Sequence, residues 1–317
     1  MIEQHAIGID IGGTSIKYGI CSSEGKIIIW NSDPTQADAP REEILEHLVS
    51  ICRRTIEEAK SRAITLTAIG IGTPGCVDIR RGYLMGSTPN FAHWRDAPVG
   101  EHMEGALELP VFVDNDANMM AYGEFKFGAG RGKGDVVCIT LGTGIGGGII
   151  INHELYRGSF YSGSELGHMT IDFRGRKCNC GGTGCFERYG SATALIQDYN
   201  EAAPESPADS TIEIFKRMKN GDVKAGAVID LYIKYVAAGL ASIVNIFNPE
   251  RVIIGGGVSE AGEPLISRIR SETASRAMES SIKNVEIVGA KLGNRAGILG
   301  AAASALDEVQ RKRISSG

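Results

Sequence analysis

"IDIGGTSIKYGI" (residues 9–20) is the stretch from which the fold is read. An apolar strand ends on a carboxylate, Asp10, turns through Gly12, Gly13 and Thr14, and returns as a second apolar strand. Residues 5–11 and 16–21 therefore read as a hairpin. The glycines let backbone N–H groups turn toward a phosphate without interference from a Cβ, and the Thr14 hydroxyl adds a donor. Asp10 would repel phosphate and suits Mg²⁺ or its water shell instead. A tight hairpin in which Asp10 merely caps the turn is the other reading. The pattern recurs in "TLGTGIGGGIII" (140–151), and a third glycine turn, "IIGGGVS" (253–259), follows another apolar run. No short period appears, so the repeat is one of whole domains, with a ligand expected between the halves. Three glycine turns where strands end suit a nucleotide. A Rossmann site fits poorly, because "GTGIGG" leads into no helix, and the Walker lysine motif is missing.

Helical segments alternate with these strands. "REEILEHLVSICRRTIEEAK" (41–60) puts Ile44, Leu45, Leu48, Val49, Cys52 and Ile56 on one face, with Asp38 and Pro40 as its start signal. "LTAIGIG" (66–72) and "PVFVD" (110–114) read as short buried strands. The longest helix keeps three-and-four spacing through Val228, Leu231, Tyr232, Tyr235, Val236, Leu240, Ile243, Val244 and Phe247, and stops at Asn248 and Pro249. A last helix is expected from near Gly297 to about Glu308. The segment "APESPADS" (203–210) reads as a surface loop. Strands mixed with helices over 317 residues give an α/β class, long enough for two domains.

Composition narrows the partners. Hydrophobic residues at 43% and charged residues at 22% are those of a soluble globular protein. A net charge of −5 announces no basic face, so neither nucleic acid nor an anionic membrane is expected as partner. The start of the chain, "MIEQHAIGIDIGG", carries no leader pattern. No uninterrupted apolar run reaches the ~18 residues that cross a bilayer. A cytoplasmic location follows, where thiols stay reduced. Cys21, Cys52, Cys76 and Cys138 stand singly in apolar segments and are expected to be small buried hydrophobes.

Two further stretches carry chemistry. "VFVDNDANMMAYGEF" (111–125) runs a strand into a helix through polar residues. Asp114 or Asp116 would serve as the helix cap. Asp116 would also serve as a general base accepting a hydroxyl proton during phosphoryl transfer, with Asn115 beside it to meet a sugar hydroxyl. "GHMTIDFRGRKCNCGGTGCFERYG" (167–190) gathers Cys178, Cys180 and Cys185 behind His168. Three thiolates and an imidazole are a tetrahedral Zn²⁺ set with no open position, hence structural. A redox pair would need C-x-x-C beside a helix start. Glu165 and His168 would share the face of a helical turn, and each could equally be an ordinary surface or half-buried side chain.

With these residues in view, the chain resembles the ROK family of repressors and sugar kinases, within the actin-like ATPase superfamily. "CNCGGTGCFE" (178–187) matches its C-x-C-G-x-x-G-C-x-E, "ELGH" (165–168) its E-x-G-H, "GTPGCVD" (72–78) its G-x-P-G-x-V-D, and "NDAN" (115–118) its catalytic segment. The resemblance implies a two-domain ribonuclease H-like fold with an inter-domain active-site cleft. Residues 1–115 plus 298–317 would form the smaller domain and 116–297 the larger. It implies Asp116 as catalytic base, and Gly75, Asn115, Glu165, His168 and Glu187 as sugar-binding residues. His168 would also ligate zinc with Cys178, Cys180 and Cys185. ATP and Mg²⁺ would be held by Asp10, Gly12, Gly13 and Thr14, by Thr143 and Gly144, and by Gly255, Gly256 and Gly257. The implied activity is ATP-dependent phosphorylation of a hexose 6-hydroxyl, glucose first, with an N-acetylhexosamine as alternative acceptor. A sugar-sensing regulator is disfavoured because the first motif begins at residue 10. A homodimer is the family expectation. The chain departs from the family at Ser15, with Lys17 two residues on read as a solvated strand residue, and at "FAHW", which follows Asn90.

Overall fold

The turn at 12–14 is a hairpin. β1 (His5–Ile11) and β2 (Ser15–Ser22) pair antiparallel with Asp10 opposite Lys17. This computed structural model describes residues 3–88 and 91–315, so Asn90 lies outside the described residues. Two units are resolved by their internal contacts. One comprises Met1–Gly132, Leu155–Gly163 and Asn294–Gly317; the other comprises Lys133–Glu154 and Ser164–Gly293.

In the first unit the sheet runs β3 (Ile27–Pro34), β2, β1, β4 (Leu66–Thr73), β8 (Val111–Asn115). β1, β4 and β8 are mutually parallel, so their carboxyl ends lie along one edge. α1 (Arg41–Ser61) buries Ile44, Leu45, Leu48, Val49 and Cys52 against this sheet's core, as its spacing predicts. Its capping position is Pro40, and no side chain caps it, so Asp38 does not serve as the start signal. A second sheet, β5 (Cys76–Asp78), β6 (Tyr83–Thr88) and β7 (Phe91–Ala97), precedes α2 (Val99–Leu107) and α3 (Asp116–Phe127). The sequence reading contains neither this sheet nor β3.

The C-terminal helix (Ala296–Ser315) completes the first unit by lying on β1 and β4. Small residues make the approach possible. A Cβ on Gly8 would stand 2.0 Å from the Ile298 carbonyl oxygen, and one on Gly70 1.9 Å from that of Ala301. The helix runs past the expected Glu308, because its polar end, Arg311 to Ser315, continues in solvent after the last buried residue, Leu306.

The second unit repeats the sheet order. β10 (Ile145–Ile151) pairs antiparallel with β9 (Val136–Leu141). β9, β12 (Arg251–Gly255) and β13 (Glu286–Gly289) follow in parallel, with the short β11 (Glu154–Tyr156) at the edge. The repeat legible in residues 9–20 and 140–151 is thus a repeat of topology. Around this sheet stand α4 (Glu187–Gly190), α5 (Ala192–Ala202), α6 (Thr211–Lys219), α7 (Val223–Phe247), α8 (Glu263–Ala274) and α9 (Glu279–Ile282).

α7 starts on Asp222, whose side chain accepts the Ala225 N–H, and ends where Asn248 turns left-handed (φ 41°). Over an 18-residue window its mean hydropathy is 1.6, enough in length and composition to cross a membrane. It is nevertheless a core helix: Val228, Tyr232, Val236, Leu240, Ile243 and Val244 are all buried. Leu231, expected on that face, points to solvent. Of the four single cysteines, Cys21, Cys52 and Cys138 are buried, but Cys76 is only half-buried. Its Sγ lies 3.0 Å from the Tyr161 carbonyl and 2.8 Å from Ser162 Oγ.

Candidate active site

In open α/β sheets, ligand-binding residues gather beyond the carboxyl ends of parallel strands. The first unit places Asp10, Gly75, Asn115 and Asp116 at those ends, after or at the close of β1, β4 and β8. Asp10 packs against the start of the C-terminal helix, where a Cβ on Gly297 would stand 2.6 Å from its carboxyl carbon. That burial pushes its carboxyl above the usual carboxylate range, and Lys17 pulls it partly back. Lys17 is therefore not a plain solvated residue. Its Nζ lies 4.0 Å from Asp10 and donates to Asn294 Oδ1 at 3.4 Å. Gly12 and Gly13 turn beside Asp10; Gly12 N–H donates to the Ser15 carbonyl, and Thr35 Oγ1 to the Gly12 carbonyl at 2.6 Å. Gly13 and Thr14 are exposed.

The start of α3 is fastened from three sides. Asn115, not either aspartate, is the cap: its side-chain oxygen accepts from Ala117 N (2.9 Å) and Asn118 N (3.1 Å). Its amide donates to the Gly75 carbonyl at 3.1 Å, so one N–H remains to meet a ligand. Asp114 is buried and accepts from Asn115 N (2.7 Å), Asn118 Nδ2 (3.0 Å) and Arg157 Nε (2.6 Å). Asp116 begins the helix half-buried, with the Ala117 N–H on its Oδ1 at 2.8 Å. Two side chains to which the sequence reading gives no role support this edge. Arg157 neutralises Asp114, and the fully buried Trp94 donates its indole N–H to Thr73 Oγ1 at 2.8 Å, fixing the end of β4.

The second unit carries the other candidates. The turn Gly142–Thr143–Gly144 joins β9 to β10, and the third glycine turn lies against it, since a Cβ on Gly256 would stand 2.5 Å from the Leu141 carbonyl oxygen. Gly257 beside it is exposed, and Gly255 closes β12. Glu165 directly precedes a short 3-10 turn, Leu166–His168, without a side-chain capping bond to it. Burial raises the Glu165 carboxyl, His168 lowers it, and the charge of Glu187 raises it again. Glu187 opens α4, and its Oε2 accepts the Ile145 N–H at 2.9 Å.

His168, Cys178, Cys180 and Cys185 converge, their donor atoms all lying within 4.8 Å of one another. Cys178 Sγ is 3.8 Å from His168 Nδ1, and Cys180 Sγ is 3.6 Å from Cys185 Sγ. A tetrahedral ion with metal–sulfur bonds of about 2.3 Å and metal–nitrogen bonds of about 2.0 Å requires edges of roughly 3.5–3.8 Å. The donor set fits such an ion, and the sulfurs are too far apart for a disulfide. Arg176 braces the loop: it pairs with Asp198 at 2.6 Å and lies over the Tyr189 ring at 4.7 Å.

Two like-ordered sheets, each with a glycine hairpin at the carboxyl edge of its parallel strands, define the actin-like ATPase fold. The chain belongs to the ROK family, whose model matches residues 6–308. It is 37% identical to a glucokinase of Thermotoga maritima over 93% of this chain and 95% of that one. A ROK family glucokinase from Streptomyces griseus, solved with glucose and AMPPNP, is 36% identical with a TM-score of 0.80, covering 96% of this chain and 99% of the other. A xylose repressor of Bacillus spizizenii is 33% identical over 93% of this chain and 75% of its own length.

Proposed function

We propose that this protein is an ATP-dependent hexose kinase that transfers the γ-phosphoryl group of ATP to the 6-hydroxyl of glucose. The observation that carries the reading is the fastening of Asp116 at the start of α3, beside an Asn115 amide already held by Gly75. A carboxylate fixed at a strand end is what a general base for an alcohol needs. Asp116 would accept the proton of the 6-hydroxyl as its oxygen bonds to the γ-phosphorus. The bond from that phosphorus to the bridging oxygen breaks, and ADP leaves with the electron pair. The one free N–H of Asn115 would orient the sugar, and Glu165, His168 and Glu187 would bind its other hydroxyls. Gly12, Gly13 and Thr14, Thr143 and Gly144, and Gly255 to Gly257 would meet the nucleotide, with Asp10 holding the Mg²⁺ that neutralises phosphate charge. The relatives named glucokinase support glucose as the acceptor.

His168, Cys178, Cys180 and Cys185 would hold a structural zinc ion. Four protein donors leave it no open position, so its part is to order a glycine-rich loop. With Nδ1 facing Cys178, the imidazole keeps Nε2 for a sugar hydroxyl. The protein would act in the cytoplasm as a homodimer.

A coupled ADP-release assay over a panel of hexoses and N-acetylhexosamines tests the reading. Glucose should be the preferred acceptor, and Asp116→Asn should lower kcat by about 10²–10⁴-fold while leaving glucose affinity within a few-fold. A preferred N-acetylhexosamine would move the acceptor assignment. Sugar binding without any ADP release would point instead to a regulator, and unchanged turnover in Asp116→Asn would remove the base.

A further inference from the structure

Ile145, the first residue of β10, is held from both sides by the elements assigned to the sugar. From one side Glu187 Oε2 accepts its N–H at 2.9 Å. From the other, Gly167 of the Glu165–His168 turn lies so close that a Cβ there would stand 2.2 Å from the Ile145 carbonyl oxygen. Ile145 directly follows the glycine turn 142–144 assigned to phosphate. That turn is tied to the same segment by two more bonds: Ala192 N–H donates to the Gly142 carbonyl, and Thr193 Oγ1 to the Thr143 carbonyl, both at 2.8 Å. Gly144 itself faces the carboxylate, since a Cβ on it would meet Glu187 Oε2 at 2.3 Å.

From these contacts we infer that Glu187 is a positioning residue for the phosphate-binding turn, so that one carboxylate links sugar binding to nucleotide binding within this unit. The inference rests on the kinase reading above and extends it. One oxygen of Glu187 is committed to the Ile145 N–H, which leaves Oε1 for a sugar hydroxyl. A sugar that fixes this side chain also fixes the first N–H beyond the turn, and phosphates that order the turn fix the side chain. Such coupling is reciprocal: each ligand must raise the affinity for the other by the same factor.

The test measures binding by calorimetry on the full chain, with a non-hydrolysable ATP analogue in the absence of sugar and with glucose in the absence of nucleotide. Glu187→Ala removes the acceptor of the Ile145 N–H, and its affinity for the analogue should fall by about tenfold or more without any sugar present. Glu187→Gln keeps a side-chain oxygen for that N–H. It should hold the analogue within about threefold of the parent while glucose binding weakens, a separation that general loosening would not produce. Gly144→Ala pushes the carboxylate aside from the turn, and should weaken glucose binding by roughly tenfold with no nucleotide present. Unchanged analogue affinity in Glu187→Ala, or equal losses in the Ala and Gln variants, would overturn the inference. If Gly144→Ala fails to fold, the two Glu187 variants still decide it. A parent chain that binds the analogue but no glucose would defeat the sugar assignment alone; one that binds no analogue would defeat the kinase reading and this inference together.

Discussion

Replacing Arg157 with leucine should cost this protein about 3 kcal/mol of stability, because it strands a buried carboxylate. The side chains of Asp114 and Arg157 are only 8% and 16% exposed, and Arg157, 2.6 Å away, is the one cation paired with that carboxylate among the described residues. The neutral donors from Asn115 and Asn118 remain in the variant, at 2.7 and 3.0 Å, so part of the desolvation cost stays compensated. Removing one partner of a buried pair typically costs 3–5 kcal/mol, and the low end applies here. Asp114→Asn introduced into the Arg157→Leu chain should then recover roughly 1–2 kcal/mol, since a neutral amide needs no cation. Urea unfolding of the parent, both single variants and the double variant reads the cycle. Activity supplies a second readout: Asp114 anchors the residue that caps α3, so Arg157→Leu should lower kcat more than it alters the KM for ATP. Additive losses across the cycle, with the double variant no more stable than Arg157→Leu, would refute this account of the strand edge.

Three further outcomes are expected. Metal analysis should find one zinc per chain; Cys180→Ser, at the exposed cysteine of the set, should release it and weaken glucose binding more than analogue binding. Trp94→Phe should destabilise the chain by about 1–2 kcal/mol in urea, because it leaves Thr73 Oγ1 without its buried donor. Burial raises the Cys21 and Cys52 thiols from an ordinary 9.0 to about 12. The unfolded chain therefore releases these protons first as pH rises. Their contribution to stability is complete below pH 9 and is lost between pH 9 and about 12, by up to about 1.4 kcal/mol per pH unit for each thiol. Melting curves at pH 8 and pH 10.5 should show a shallower decline in Cys52→Ala than in the parent.

The features legible in the sequence are those whose cause is local. A β-branched run broken by two glycines and a threonine can hardly be anything but a hairpin, and both hairpins lie where residues 9–20 and 140–151 place them. α7 follows from its spacing, although Leu231 sits at the margin of the apolar stripe, where periodicity alone cannot tell core from solvent. The cysteine cluster is also local, since its thiols are brought together by one short loop. What stayed hidden depends on partners distant in sequence. Arg157 reaches Asp114 across 43 residues, and nothing around it marks it as anything but a surface cation. The β5–β6–β7 sheet has short strands, a shifted register and left-handed glycines at 82 and 86, so it shows no clean alternation. The helix cap fell to Asn115 because its side chain reaches two N–H groups, while Asp114 is taken up by Arg157 and Asn118 and Asp116 already lies inside the helix.

The C-terminal helix has a consequence for how the chain is made. Gly8 and Gly70 are covered by residues 298 and 301, so that face of the sheet stays bare until a helix more than 220 residues beyond Gly70 has been synthesised. At ~5–20 residues per second, the ribosome needs on the order of ten seconds or more to pass through the intervening segment. The second unit, Lys133–Glu154 with Ser164–Gly293, is by then fully emerged and free to fold. The hairpin of β1 and β2 thus depends, for burial of that face, on a helix about 290 residues beyond Gly8.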